Sequence, residues 1–121
     1  PLWHSAVISV DPKTGKTKYF EYGRYDPPKF FGIARNPKVP DLIMKDGKPT
    51  QESLKNLYEK ISKQSGKNCT VVAEYYADAD YKKIIDFAIT RMKDEKRAPY
   101  SIWNNNCDTF ARDAIKAGRN K

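Results

Sequence analysis

The residues best suited to covalent chemistry stand at opposite ends of a 121-residue chain. Cys107 lies in "SIWNNNCDTFARDAIKAG" (101–118), where three asparagines give way to an amphipathic pattern. His4, the only histidine, opens "HSAVISV" (4–10). A thiol in the first turn of a helix feels the positive end of the helix dipole and the unpaired backbone N–H groups there, and both favour the thiolate. The same N–H groups can stabilise a developing oxyanion. Cys107 has two blander readings: a small buried residue of the apolar stripe, or a disulfide partner of Cys69. The stripe alone favours the core reading. A histidine at a strand head shifts the weight, because an imidazole can take the thiol proton and later protonate a leaving group.

The elements that must position these two groups are legible in outline. "HSAVISV" is short and β-branched, "DPKTGK" (11–16) supplies turn residues, and "TKYFEYGRY" (17–25) has period-two aromatic character, so residues 4–25 form a β-hairpin. With "PKTG" (12–15) as its loop, Ala6 faces Glu21 and His4 faces Gly23. Glu21 is then the diagonal neighbour of His4, and Tyr22 points to the opposite face. The stretch 26–49, with five prolines, reads as a long ordered loop in which "FFGIA" (30–34) can form a brief strand. Thr50 caps a helix over 50–64, with Gly66 just past its end. "CTVVAEYY" (69–76) reads as a core strand, with Cys69 buried and inert. A helix from about Asp80 to Lys93 carries Tyr81, Ile84, Ile85, Ala88 and Met92 on one face, and Pro99 prevents its continuation. The last helix begins near Asn105 or Asn106 and runs to Ala117, with Gly118 as its C′ residue. Its inward stripe is Cys107, Phe110, Ala111, Ala114 and Ile115.

A histidine heading the first strand of a hairpin, followed much later by an Asn-Cys dipeptide that opens a helix, resembles the circularly permuted branch of the papain-like NlpC superfamily. The residues that carry the resemblance are "HSAVISV", "YFEYGRY" and "YSIWNNNCDTFARDAI". That branch includes lecithin:retinol acyltransferase-like enzymes and bacterial cell-wall peptidases. The resemblance implies Cys107 as nucleophile, His4 as general base and acid, and a polar orienting residue on the second strand, for which Glu21 is the candidate beside the alternative of a solvated strand carboxylate. It also implies an α+β fold, an antiparallel sheet with an N-terminal hairpin packed against about three helices. The lipid-modifying members usually carry a second histidine on that strand. This chain has none, which favours peptidase or amidase over acyltransferase. Asn106 is a cap or an oxyanion donor. Tyr100 and Trp103 are candidates for the pocket lining or for core packing.

Composition bounds the rest. A length of 121 residues with 39 % hydrophobic content fits one domain, and no stretch approaches the roughly 20 apolar residues of a membrane span. The first residue is Pro1, as expected of a processed product or a domain excised from a longer polypeptide. The net charge of +8 suits anionic partners such as nucleic acid, acidic lipid or cell wall. Nine basic and five acidic residues fall in 1–48, and fourteen and ten in 49–121, so each part carries +4. Such dispersion, with no basic tail, zinc-finger spacing or RNA-binding aromatic signature, argues against nucleic acid. A zinc site would need Cys69, Cys107, His4 and a carboxylate to converge without a spacing motif, so neither metal nor cofactor is expected.

The expected activity is that of a cysteine hydrolase cutting amide bonds in peptidoglycan stem peptides. The compact size, basic surface and absent initiator methionine resemble toxin domains of contact-dependent or type VI secretion effectors. Such a domain would be a monomer acting in the periplasm of a target bacterium, opposed by a cognate immunity protein. The alternatives are a phospholipase or lipid acyltransferase of the same fold, and a non-enzymatic binding module with Cys107 in its core.

Overall fold

The computed structural model describes residues 4–25, 32–64, 71–96, 98, 100–101, 103 and 105–120. Strands β1 (Ala6–Val10) and β2 (Thr17–Gly23) form the expected hairpin, and β3 (Ile33–Arg35) extends it to a three-stranded antiparallel sheet of order β1-β2-β3. Ala6 pairs with Glu21, so the register read from the turn holds. Gly15 closes that turn at φ +81°. A side chain there would collide with the Leu42 carbonyl, which explains why the position is glycine. The stretch taken as loop also contains a second hairpin, β4 (Met44–Lys45) and β5 (Lys48–Pro49), turned by Asp46 and Gly47, both at positive φ.

Both faces of the β1–β2 hairpin are covered, and the alternation of side chains divides them. Val7, Phe20 and Tyr22 join Ile84, Ala88, Phe110 and Ala114 in a core shared with helices α2 (Tyr81–Lys93) and α3 (Cys107–Arg119). On the other face, Tyr19 joins Val39, Leu42 and Leu57, the last from helix α1 (Gln51–Gln64), with Ala6, Ile8 and Val10 packed alongside. The described residues thus form an α+β fold, with three helices around small antiparallel sheets.

Two expectations require correction. Residues 71–76 form no strand: Val72 is 91 % and Tyr75 72 % exposed, and no described strand pairs with them. β-Branched composition supplies propensity, but a strand exists only where a neighbour offers its hydrogen-bonding edge. Gly118 lies inside α3 rather than beyond it. It is buried because a β-carbon there would stand 2.7 Å from Ile84 Cγ1, so the missing side chain lets α2 and α3 approach. The C-cap is Asn120 instead. Gly66, Cys69, Pro99 and Phe30 and Phe31 of "FFGIA" lie outside the described residues.

Candidate active site

Cys107 is the first residue of α3, and the preceding chain holds it there. Ser101 and Asn105 form an isolated antiparallel bridge, Ser101 N–H to Asn105 O at 2.8 Å and Asn105 N–H to Ser101 O at 3.0 Å. The Asn105 amide donates to Tyr22 Oη at 3.2 Å and to the Ala98 carbonyl at 2.9 Å, while its Oδ1 accepts from Arg91 at 3.3 Å. Asn106 then caps the helix in a reciprocal box: its Oδ1 accepts from the N–H groups of Asp108 and Thr109, and its own N–H donates to Thr109 Oγ1. Its Nδ2 donates to the Ser101 carbonyl at 3.3 Å. Asn106 is therefore placed as the cap of the helix that Cys107 opens, its amide turned to the preceding turn.

His4 stands just ahead of β1 and reaches both partners. Its Nε2 lies 2.7 Å from Glu21 Oε2, and its ring also hydrogen-bonds the Cys107 thiol. The carboxylate is acceptor-only, so Nε2 carries the hydrogen, a tautomer assigned from chemistry that leaves Nδ1 as the basic nitrogen. The hydrogen bond with Cys107, then that donated to Glu21, raises the His4 pKa from 6.5 to about 9 against the opposing effect of burial. Cys107 is 9 % exposed. Its pKa is lowered, chiefly by the His4 hydrogen bond and further by the backbone N–H groups of Ser5 and Asp108, which together outweigh burial. The opposite shifts in two touching groups both favour passage of the thiol proton to the imidazole.

Glu21 is not a solvated strand carboxylate. It is 6 % exposed, and its Oε1 accepts from Arg35 Nε at 2.7 Å while Oε2 takes both His4 and the Tyr19 hydroxyl, the latter at 3.2 Å. Burial pushes its pKa up, but the hydrogen bonds from His4 and Arg35 prevail and the net shift is downward. The Arg35 guanidinium carbon in turn sits over the Tyr25 ring, 3.4 Å from its centroid. Tyr22 points into the opposite core, between Tyr100 and Phe110. Tyr100 therefore belongs to an aromatic stack, and Trp103 stands in solvent at 89 % exposure.

Sequence reasoning brought His4, Glu21 and Cys107 forward but overlooked Arg35, Tyr19 and Ser5. Tyr19 and Glu21, two apart on one strand, share a face by the same period that singled out Glu21. Arg35 pairs directly with Glu21 across β2–β3, a register that "FFGIAR" could not disclose without knowing that it joins this edge. An open cleft runs from His4, Glu21, Tyr25 and Arg35 along β1 toward Asp108 and Arg112. Among the described residues no three His, Cys, Asp or Glu side chains converge as a metal site.

Residues 2–121 match the family described as type VI secretion system effector TseH-like. The chain is also similar to a crystal structure of the type VI secretion system effector TseH, at 28 % sequence identity and a TM-score of 0.79. The similarity covers 95 % of this chain and 66 % of that one, so the chain spans just under two thirds of the solved relative. A search of curated proteins finds no match.

Proposed function

This chain belongs to the TseH-like family of type VI secretion system effectors, and from that membership we propose that it is a cysteine hydrolase of permuted papain-like, NlpC-type architecture that cuts amide bonds in peptidoglycan stem peptides. Effectors of this secretion system are exported and delivered into target cells. The proposed compartment of action is the periplasm of the target bacterium, and the proposed partner is an immunity protein that neutralises the domain in the cell that makes it. The observation that carries the reading is His4 bonded on one side to a buried, ionised Glu21 and on the other to Cys107 at a helix N-terminus.

The Cys107 thiolate attacks the scissile carbonyl carbon, and the oxyanion of the tetrahedral intermediate is held by the Cys107 backbone N–H at the start of α3. The His4 imidazolium gives its Nδ1 proton to the departing amine as the C–N bond breaks, leaving a thioester on Cys107. Neutral His4 then takes a proton from water, the hydroxide adds to the thioester, and the acid departs with return of the proton to the thiolate–imidazolium pair. Glu21 holds the imidazole in one tautomer and favours its cationic form throughout.

Purified sacculi incubated with the wild-type chain should release new muropeptide products, identified by mass spectrometry, that Cys107→Ala does not release. Undigested sacculi together with fatty acid release from phospholipid vesicles would replace the amidase reading with that of a lipid acyl hydrolase. A folded chain inactive on both would favour the binding module.

A further inference from the structure

The structure assigns Arg35 the part of a positioning residue, one that clamps Oε1 of Glu21 from strand β3 so that Oε2 is presented to His4. The inference rests on the reading of Cys107 as nucleophile, but on nothing about its substrate. A buried carboxylate on a strand can rotate about its terminal torsion unless both oxygens are engaged. Here the two are divided: Arg35 Nε at 2.7 Å takes one, and His4 Nε2 at 2.7 Å with the Tyr19 hydroxyl at 3.2 Å takes the other. The direct pairing of Glu21 with Arg35 fixes the strand-to-strand distance that this contact spans.

Arg35 is itself fixed. Its side chain is 46 % exposed, and a half-exposed arginine is ordinarily mobile. The Tyr25 ring, 3.4 Å from the guanidinium carbon, removes that freedom by stacking and aims Nε inward. A lysine could supply the charge but neither the planar stack nor the directed Nε. The groups facing the Glu21–His4 pair are Tyr19 on β2, Tyr25 just after it, Arg35 on β3, Ser5 ahead of β1, and Cys107 on α3, with Asp108 reached through the Ser5 hydroxyl at 3.5 Å. Among the described residues, Arg35 is the cation that touches the pair besides His4.

The two ways an arginine could act here predict opposite signs. As a nearby positive charge, it would disfavour the imidazolium, and its removal would enrich the thiolate. As a clamp, its removal frees Glu21 to turn away, the imidazolium loses its fixed partner, and the thiolate becomes scarcer. The geometry favours the clamp, because Arg35 Nε donates directly to Glu21 Oε1 at 2.7 Å while His4 bonds the other oxygen, so the carboxylate stands between the two cations.

Iodoacetamide alkylation of Cys107, followed against pH by peptide mapping on the folded chain, reads the thiolate without any substrate. For Arg35→Gln we expect the alkylation midpoint to rise by about one pH unit, a roughly tenfold slower reaction at pH values below both midpoints. Arg35→Lys should fall between that and wild type. Glu21→Gln should give a shift at least as large, and Arg35→Gln added to Glu21→Gln should give no further shift, since the arginine acts through the carboxylate. Arg35→Lys keeps the charge and the fold should Arg35→Gln prove unstable, and the single histidine resonance reports the same coupling by NMR. An unchanged midpoint in both variants, a downward shift, or additivity in the double variant each overturns the clamp. A clamp that holds in a chain inactive on sacculi would leave Arg35 in place and remove only the proposed substrate.

Discussion

Cys107→Ala should lower the His4 pKa, and the size of the fall can be worked from the contacts. His4 stands about 2.5 pH units above its ordinary value of 6.5, a stabilisation of the imidazolium of at most ~3.4 kcal/mol, reduced by water because its side chain is 28 % exposed. Cys107 contributes the largest share and Glu21 the next. Removing the sulfur should therefore shift the titration down by at least about one pH unit, ~1.4 kcal/mol of coupling, while Glu21 still holds the midpoint above 6.5. The chain has one histidine, so a single Cε1–H resonance followed from pH 5 to 10 reports the shift without assignment. Stability carries the same information. His4 raised above its unfolded value stabilises the fold fully below about pH 6.5, an advantage lost as pH rises through about 9. Cys107 lowered below its unfolded value stabilises it above about 9, an advantage lost as pH falls through its folded pKa. Above both pH 6.5 and the folded Cys107 pKa, and below about 9, the folded pair and the unfolded chain hold the same number of protons, and the wild-type unfolding free energy should be level. In Cys107→Ala the thiol half is gone, so stability should decline with rising pH from about 6.5 to the new His4 midpoint. An unmoved resonance, or a level profile in the variant, would refute the thiolate–imidazolium pair.

Glu21→Gln should reduce turnover by roughly 10- to 1,000-fold, measured by muropeptide release, whereas Tyr22→Phe, buried on the other sheet face, should keep activity and lose about 1 kcal/mol with its Asn105 contact in denaturant titration. Hydrolysis should be level through neutral pH and fall above about 9, where His4 no longer carries the proton for the leaving amine; alkylation of Cys107 needs no such proton and should not fall there. Asn106→Ala removes a two-way capping box and should cost about 1 kcal/mol by chemical unfolding. Gly118→Ala should destabilise by about 1–3 kcal/mol, since the new methyl meets the buried Ile84; a wild-type melting temperature in that variant would show that α2 and α3 separate freely.

The parts of this molecule legible in its sequence are those decided over short spans of chain. The loop "PKTG" and a two-residue period set the register that puts Glu21 beside His4, and Asn106 followed by an apolar stripe announces both the cap and the inward Cys107. What depends on a distant neighbour was misread. Residues 71–76 have strand composition but no described edge to pair with, Gly118 resembles a terminator until Ile84 is placed against it, and Arg35 gains its meaning only from the strand beside it. The small hairpin at 44–49 was accessible, because Asp46–Gly47 is a strong turn dipeptide. It was obscured by the prolines around it.

The Ser5 hydroxyl and the Asp108 carboxylate that flank the site are 103 residues apart in the chain. Contacts so remote close only after most of the loop entropy between them has been spent, so they form late in folding. Until then Cys107 is an ordinary thiol, mostly protonated and slow to attack, and His4 an ordinary imidazole. The reactivity proposed for Cys107 would thus be a property of the finished fold alone. On the proposed reading, a nascent, partly unfolded or prematurely truncated chain would be chemically quiet, and any agent that kept the two ends apart would silence the thiol without touching it.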